Sequence, residues 1–160
     1  ALASMAGVDD AAVAVDGPAQ ARLWRYRELH TEAIARVGSA HKLDVTLPLD
    51  VLAAFVDEIR PRVVALRPHA RLWCFGHAAD GNVHVNVTGL DPDDDAVDDL
   101  VLRTAAEAGG SVSAEHGIGR AKRRWLHLAH RAEEVAAMVA IKRALDPDGI
   151  CNPGVLLPDA

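Results

Sequence analysis

The chain has 160 residues, half of them apolar, which is enough for one domain with a buried core. Its formal charge of −6 at neutral pH argues against nucleic-acid binding, which depends on Lys and Arg neutralising phosphates. No apolar run approaches the roughly 20 residues that span a bilayer, and no charged-then-apolar leader is visible.

In chain order, residues 1–16 (ALASMAGVDDAAVAVD) are Ala-rich, lack large apolar anchors and read as a loose tail before a domain over 17–160. From Ala19 to Val37 the period is helical, with Leu23, Tyr26, Ile34 and Val37 on one stripe and Gly38 as the stop. HKLDVTLP (41–48) alternates like a strand and ends at Pro48. Asp50 can cap a second helix, in which Leu52, Phe55, Val56 and Ile59 keep helical spacing until Pro61. RLWCFGH (71–77) and NVHVNVT (82–88) are two strands joined by an Asp80-Gly81 turn, a strong hairpin signal. The acidic run DPDDDAVDD (91–99) suits a helix N-terminus better than a calcium loop, which needs its spaced glycine and terminal glutamate.

A third helix is expected over about 95–108, with Val97, Leu100 and Val101 inward and Gly109-Gly110 ending it. SVSAE (111–115) reads as a short strand, and helices near 119–129 and 131–145 precede a DPDG turn. Setting aside the terminal helices, the order is βαββαβ. The expected class is therefore α+β: a ferredoxin-like antiparallel sheet with extra N-terminal and C-terminal helices. Cys74 and Cys151 make no disulfide framework and read as reduced thiols of a cytosolic protein, Cys74 buried in a strand.

The hairpin GHAADGNVHVN (76–86) carries chemistry that a plain hairpin does not need. A type I′ turn at Asp80-Gly81 sets His77 directly across from His84, whereas a turn at Gly81-Asn82 pairs His77 with Asn86. Either register puts the three polar side chains on one surface, where two imidazoles can converge on a divalent cation. A third ligand is needed, and Glu115, at the end of the expected last strand, completes a His₂Glu set suited to Zn²⁺ or another first-row metal. His116 beside it is either a fourth ligand or a general base. HGIGRAK has only G-x-G and no βαβ unit around it, so it is not a dinucleotide loop. Arg27 and Thr31 share a helix face, and Arg27 with Lys42 can form an anion pocket. The plainer reading of Arg27 is a snorkelling side chain.

Three stretches together resemble one family. GHAADGNVHVN is similar to GHxGDGNxHxN, GGSVSAEHGIGRAK to GGSxSxEHGIGxxK, and LDPDGICNPG to LDPxGxxNPG. In this order they resemble the C-terminal substrate domain of FAD-linked oxidases, among the vanillyl-alcohol-oxidase-like flavoproteins. That group includes D-lactate dehydrogenases, the glycolate oxidase D subunit and D-2-hydroxyglutarate dehydrogenase. The resemblance covers about residues 20–157. It implies oxidation of a small D-2-hydroxy acid to the 2-keto acid, with hydride passing to FAD. It also implies a divalent metal, Zn²⁺ or Mn²⁺, held by His77, His84 and Glu115, with His116 as the base. Asn86 matches a substrate-contacting asparagine, and Arg27, Thr31 and Lys42 match positions that hold substrate carboxylates. Asn152 resembles a residue near the flavin ring.

Ala79, Cys151 and Val155 depart from the family pattern. The resemblance further implies an FAD-binding domain of the same protein as the partner that holds most of the flavin. The reduced thiols point to a cytoplasmic protein, with peripheral membrane association through an electron acceptor and a homodimer both left open. The rival expectation is a stand-alone metal-binding module or a small metal-dependent hydrolase using Glu115 or His116 as base.

Overall fold

Asp16 accepts a hydrogen bond from the Ala19 N–H at 2.7 Å and so starts the first helix, with Pro18 in a turn where a missing N–H costs nothing. The computed structural model describes residues 11–157, so most of the expected N-terminal tail lies outside the described residues. The chain divides into two compact units, Ala1–Val37 and Gly38–Ala160.

The first unit holds α1 (Gly17–Glu28) and α2 (His30–Val37), so the expected single helix is divided at Leu29. Of the expected stripe only Ile34 is buried, while Leu23, Tyr26 and Val37 are exposed. Two short helices cannot enclose both faces of their own side chains.

The second unit opens with β1 (Ala40–Thr46), followed by α3 (Leu49–Leu66), β2 (Arg71–His77), β3 (Asn82–Thr88) and α4 (Asp95–Glu107). The strands form one antiparallel sheet in the order β1-β3-β2. Leu43, Val45, Leu72, Val83, Val85 and Val87 alternate onto one face and meet Phe55, Ile59 and Val63 of α3 and Val97, Val101 and Leu102 of α4 in a single core. Burying such side chains stabilises by about 1.5–3 kcal/mol each. Cys74 packs at the margin of this core, and burial pushes its thiol up to about 11, well away from thiolate chemistry. Both cysteines are free.

α3 does not stop at Pro61 but continues to Leu66. Pro61 and Asp57, one turn earlier, both face solvent, where water can satisfy the carbonyl that Pro61 leaves without a donor. Ile59 and Val63, on the opposite side, are fully buried and hold the helix to the sheet. Asp50 lies inside the first turn and Pro48 occupies the cap position. The acidic run behaves as expected: Asp94 accepts from Ala96 N–H at 3.2 Å and pairs with Arg67 through two hydrogen bonds of 2.5 and 2.8 Å.

The expected fourth strand is not formed. Ser111 and Thr46 make one antiparallel bridge, and the chain then turns away, with Ala114 at φ 44° and His116 N–H bonded to Ser113 O. Two residues before Thr46 along the same outer edge of β1, the Asp44 carbonyl accepts from Lys122 Nζ at 3.0 Å instead of from a strand. The same ammonium takes the Val112 carbonyl at 2.8 Å. The fold is thus mixed α+β with a three-stranded sheet and flanking helices. The expected helix at 119–129 shrinks to a 3₁₀ turn, Arg123–Trp125, and a single turn, α5 (Leu126–Ala129). Trp125 is buried and donates to Asp99 at 2.9 Å. α6 (Ala132–Leu145) is capped by Glu134 on the Arg131 N–H.

His41 ties β1 to α4: its Nδ1 lies 2.8 Å from Asp98 and its Nε2 3.1 Å from the Asp91 carbonyl. Burial alone would depress this imidazole, but the Asp98 hydrogen bond and charge outweigh it and raise the group above its ordinary 6.5. A raised folded value means that the stabilisation is full below the unfolded value and is lost as pH rises through the folded one. His41→Ala is therefore expected to cost about 1 kcal/mol more at about pH 5.5 than at about pH 8.5, by urea unfolding at both.

Candidate functional site

The face of the sheet away from α3 and α4 is polar, and its residues stand in cross-strand rows. Asp44 of β1, His84 of β3 and Phe75 of β2 form one row; Thr46, Asn82 and His77 form the next; Lys42, Asn86 and Trp73 form a third. Directly opposed side chains in such rows have Cβ atoms about 4.5–5.5 Å apart. Alternation makes this face unavoidable once Leu43, Val45, Val83, Val85 and Val87 turn inward.

Neither expected hairpin register forms. His77 lies across from Asn82, and His84 from Phe75. The loop is four residues long: a 3₁₀ turn at Ala78–Asp80, then Gly81 at φ 67°. A type I′ turn needs positive φ at both central residues, and Asp80 does not adopt it. The observed register differs from both expected ones by an even number of residues, so the shared face survives. The His77 and His84 rings meet edge-on with centroids 6.1 Å apart, a gap that one ion bound about 2 Å from each ring can span.

His84 is held on both sides. Phe75 packs against it at 5.1 Å between centroids, and Asp44 Oδ1 accepts from its Nδ1 at 2.7 Å. The other Asp44 oxygen pairs with Nε2 of His116, and Asn82 Nδ2 donates to Oδ1 at 3.2 Å. Asp44 is largely buried, His84 is 23 % exposed and His116 is 59 % exposed. Burial of the Lys122 ammonium behind the Asp44 backbone pushes its pKa down, an effect that the nearby Asp44 and Asp98 charges only partly offset.

The structure gathers some of the expected residues and leaves others apart. His77, His84, Asn86 and Lys42 share the polar face, and His116 reaches it through Asp44. Asn86 is 4 % exposed and Lys42, directly opposite, is exposed. Glu115 is exposed on the loop after Ser113. Among the described residues no three His, Cys, Asp or Glu side chains converge as a metal set. The donor chemistry of the two imidazoles nonetheless suits a metal. An ionised carboxylate only accepts, so Asp44 takes the Nδ1 proton of His84, which makes Nε2 the nitrogen that could face a metal. The amide oxygen of Asn82 beside them is buried with no protein partner.

Asn152 sits elsewhere in this unit, at φ 48°, lining a cleft of about 570 Å³ with Lys142, Arg143 and Asp146. Asp146 organises that turn by accepting from the Ile150 and Cys151 N–H groups, each at 3.0 Å, and by pairing with Lys142. The Lys142 contact, followed by the Cys151 N–H, holds the Asp146 carboxyl below the usual range. Arg27 and Thr31 belong to the separate helical unit, on α1 and α2.

Sequence reasoning missed Asp44 and Lys122. Asp44 was open to discovery as the polar residue between inward-facing Leu43 and Val45, but its place beside His84 depends on β1 pairing with β3, which no local pattern encodes.

Comparison with known proteins gives the lineage. A family model described as FAD linked oxidases, C-terminal domain, matches residues 1–156. The mitochondrial D-2-hydroxyglutarate dehydrogenase of Danio rerio is 36% identical over 155 residues, covering 95% of this chain and 29% of the relative. The D-2-hydroxyglutarate dehydrogenase of Xanthomonas citri pv. viticola is 38% identical over 159 residues, covering 93% of this chain and 33% of that relative. The mitochondrial enzyme of that name from Bos taurus is 40% identical over 139 residues, covering 85% and 25%. The chain spans between a quarter and a third of the length of these relatives. On the extent of the family match and the identity to these relatives, this chain belongs to the C-terminal domain family of the FAD-linked oxidases.

Proposed function

We propose that this chain is the substrate- and metal-binding part of an FAD-dependent dehydrogenase that converts a D-2-hydroxy acid to the 2-keto acid. One observation carries the reading: His77, His84 and Asn86 stand on one sheet face, with His116 drawn to the same place by Asp44. The names of the relatives favour a 2-hydroxydicarboxylate as the substrate class.

His77 and His84 are the residues that would hold a divalent metal, and the role of Glu115 as third ligand rests on the family resemblance. His116 takes the hydroxyl proton, for which its exposed ring is accessible. Lys42 lies one row from His84 and two rows from His77, and offers a positive charge to a carboxylate beside the reacting carbon. Asn86, opposite Lys42, supplies an amide to the same ligand. The role of Arg27 and Thr31 as carboxylate contacts and of Asn152 as a flavin neighbour rests on the family resemblance. When bound, the metal supplies Lewis-acid polarisation of the hydroxyl, and FAD, held by a part of the protein outside this span, supplies the hydride acceptor.

The test is anaerobic flavin reduction by the full-length protein across D-2-hydroxy acids. The expected result is rapid bleaching with at least one D-isomer, faster for a dicarboxylate than for lactate or glycolate, and loss of that rate after chelation. No reduction by any D-2-hydroxy acid in the metal-replete, FAD-loaded protein would overturn the reading.

A further inference from the structure

The Asp44 carboxylate lies at the meeting point of three segments. Its Oδ1 takes His84 Nδ1 at 2.7 Å and Asn82 Nδ2 at 3.2 Å, both from β3, and its Oδ2 takes Nε2 of His116 from the loop after the last sheet bridge. Its own backbone is fixed by the ladder to β3 and by Lys122 on its carbonyl, and its side chain is held by the two imidazoles and the Asn82 amide. Such a group is costly to place against one face of a sheet unless its lone pairs are used. Here at least three are used, and two of the donors are imidazoles.

From this geometry we infer that Asp44 is the positioning residue of the site: it locks the His84 ring with the proton on Nδ1, presents Nε2 to a metal, and holds the His116 ring over the same face. The inference deepens the proposed function and rests on it for the metal. A second, buried acceptor marks the same spot. Asn82 turns its Nδ2 toward Asp44, which leaves Oδ1 without a protein partner while the residue is 8 % exposed. Reversing the amide would satisfy that position only by setting an oxygen against the carboxylate. The orientation of Asn82 is thus also set by Asp44, at the cost of enclosing its other amide oxygen without a partner.

A carboxylate behind a metal-binding imidazole fixes the ring and raises its basicity, and its loss commonly weakens metal affinity about 10–100-fold. Phe75 limits the ring on the opposite side, but an aromatic contact does not choose a tautomer.

Two substitutions separate the roles. Asp44→Asn keeps shape and one acceptor but removes the charge; Asp44→Leu keeps volume and removes the acceptor. In the full-length protein, Co²⁺ titration followed by its visible absorption is expected to show affinity falling in the order wild type, Asn, Leu, by about tenfold and about a hundredfold, with altered band positions. Imidazole ¹⁵N shifts of His84 in the metal-free protein are expected to report Nδ1–H alone in wild type and a tautomer mixture in the Leu variant. If the Leu variant does not fold, the Asn variant decides by affinity and band position. Affinity within twofold of wild type in the Asn variant, or an unchanged His84 tautomer in a folded Leu variant, would overturn the inference. If wild-type protein binds no Co²⁺ or Zn²⁺, the metal reading fails, and the tautomer comparison still decides whether Asp44 positions His84.

Discussion

Replacing His116 with alanine in the full-length protein is expected to lower kcat/KM for the D-2-hydroxy acid about 10²- to 10⁴-fold, with FAD and metal contents unchanged. The size follows from losing the group that takes the hydroxyl proton, which no neighbour replaces at the right position. Asp44 is nearby but is already engaged by His84 and Asn82. The fold should tolerate the change because the His116 ring is mostly exposed and its backbone is held by its own N–H to Ser113 O at 2.9 Å. Stopped-flow flavin reduction is the measurement, since it isolates the chemical step from reoxidation. Reduction at near the wild-type rate would remove His116 from the chemistry and leave it a member of the polar network only.

The second large effect concerns folding. Gly81→Ala is expected to destabilise the protein by about 3 kcal/mol, two costs acting together. At φ 67° an L-residue pays about 1–2 kcal/mol for the left-handed region. An added Cβ would also stand 2.1 Å from the Leu47 carbonyl oxygen, backbone that cannot move without disturbing β1, and forced overpacking typically costs about 1–3 kcal/mol. The Gly81 carbonyl meanwhile accepts from Leu47 N–H at 2.9 Å, so relaxation on one side breaks a bond on the other. Equilibrium urea unfolding reads the loss directly; a change under about 1 kcal/mol would show that the turn adjusts freely. The same variant should weaken metal binding, because His77 precedes this turn and Asn82 follows it.

Those two residues show how unevenly the molecule can be read from its sequence. The helical stripe of Phe55 and Ile59, the inward Val97 and Val101, and the alternation of NVHVNVT were legible because periodic burial is a local property. The shared face of His77, His84 and Asn86 was legible too, since any even change of register preserves it. Their partners were not. A four-residue loop with one left-handed glycine was hidden behind an Asp-Gly signal that normally means a two-residue turn. Where the fourth strand was expected, Lys122, distant in sequence, takes the Asp44 carbonyl that its next ladder bond would have used. Pro61 misled for the opposite reason: buried neighbours on the far side of α3 outweighed one missing hydrogen bond. Asp44 became visible only when β1 was seen beside β3.

Lys122 has an implication for how this sheet meets other molecules. With three strands the sheet has two borders, that of β1 covered only at Thr46 by Ser111, and an uncovered border is a template on which a second polypeptide can add a strand. On β1 the Lys122 ammonium sits on the Asp44 carbonyl, and on β2 the Arg60 guanidinium donates to the Leu72 carbonyl at 3.0 Å. Each cation would have to be expelled before a foreign strand could dock there. Two residues that take no part in the proposed chemistry thus occupy a hydrogen-bonding position on each outer strand.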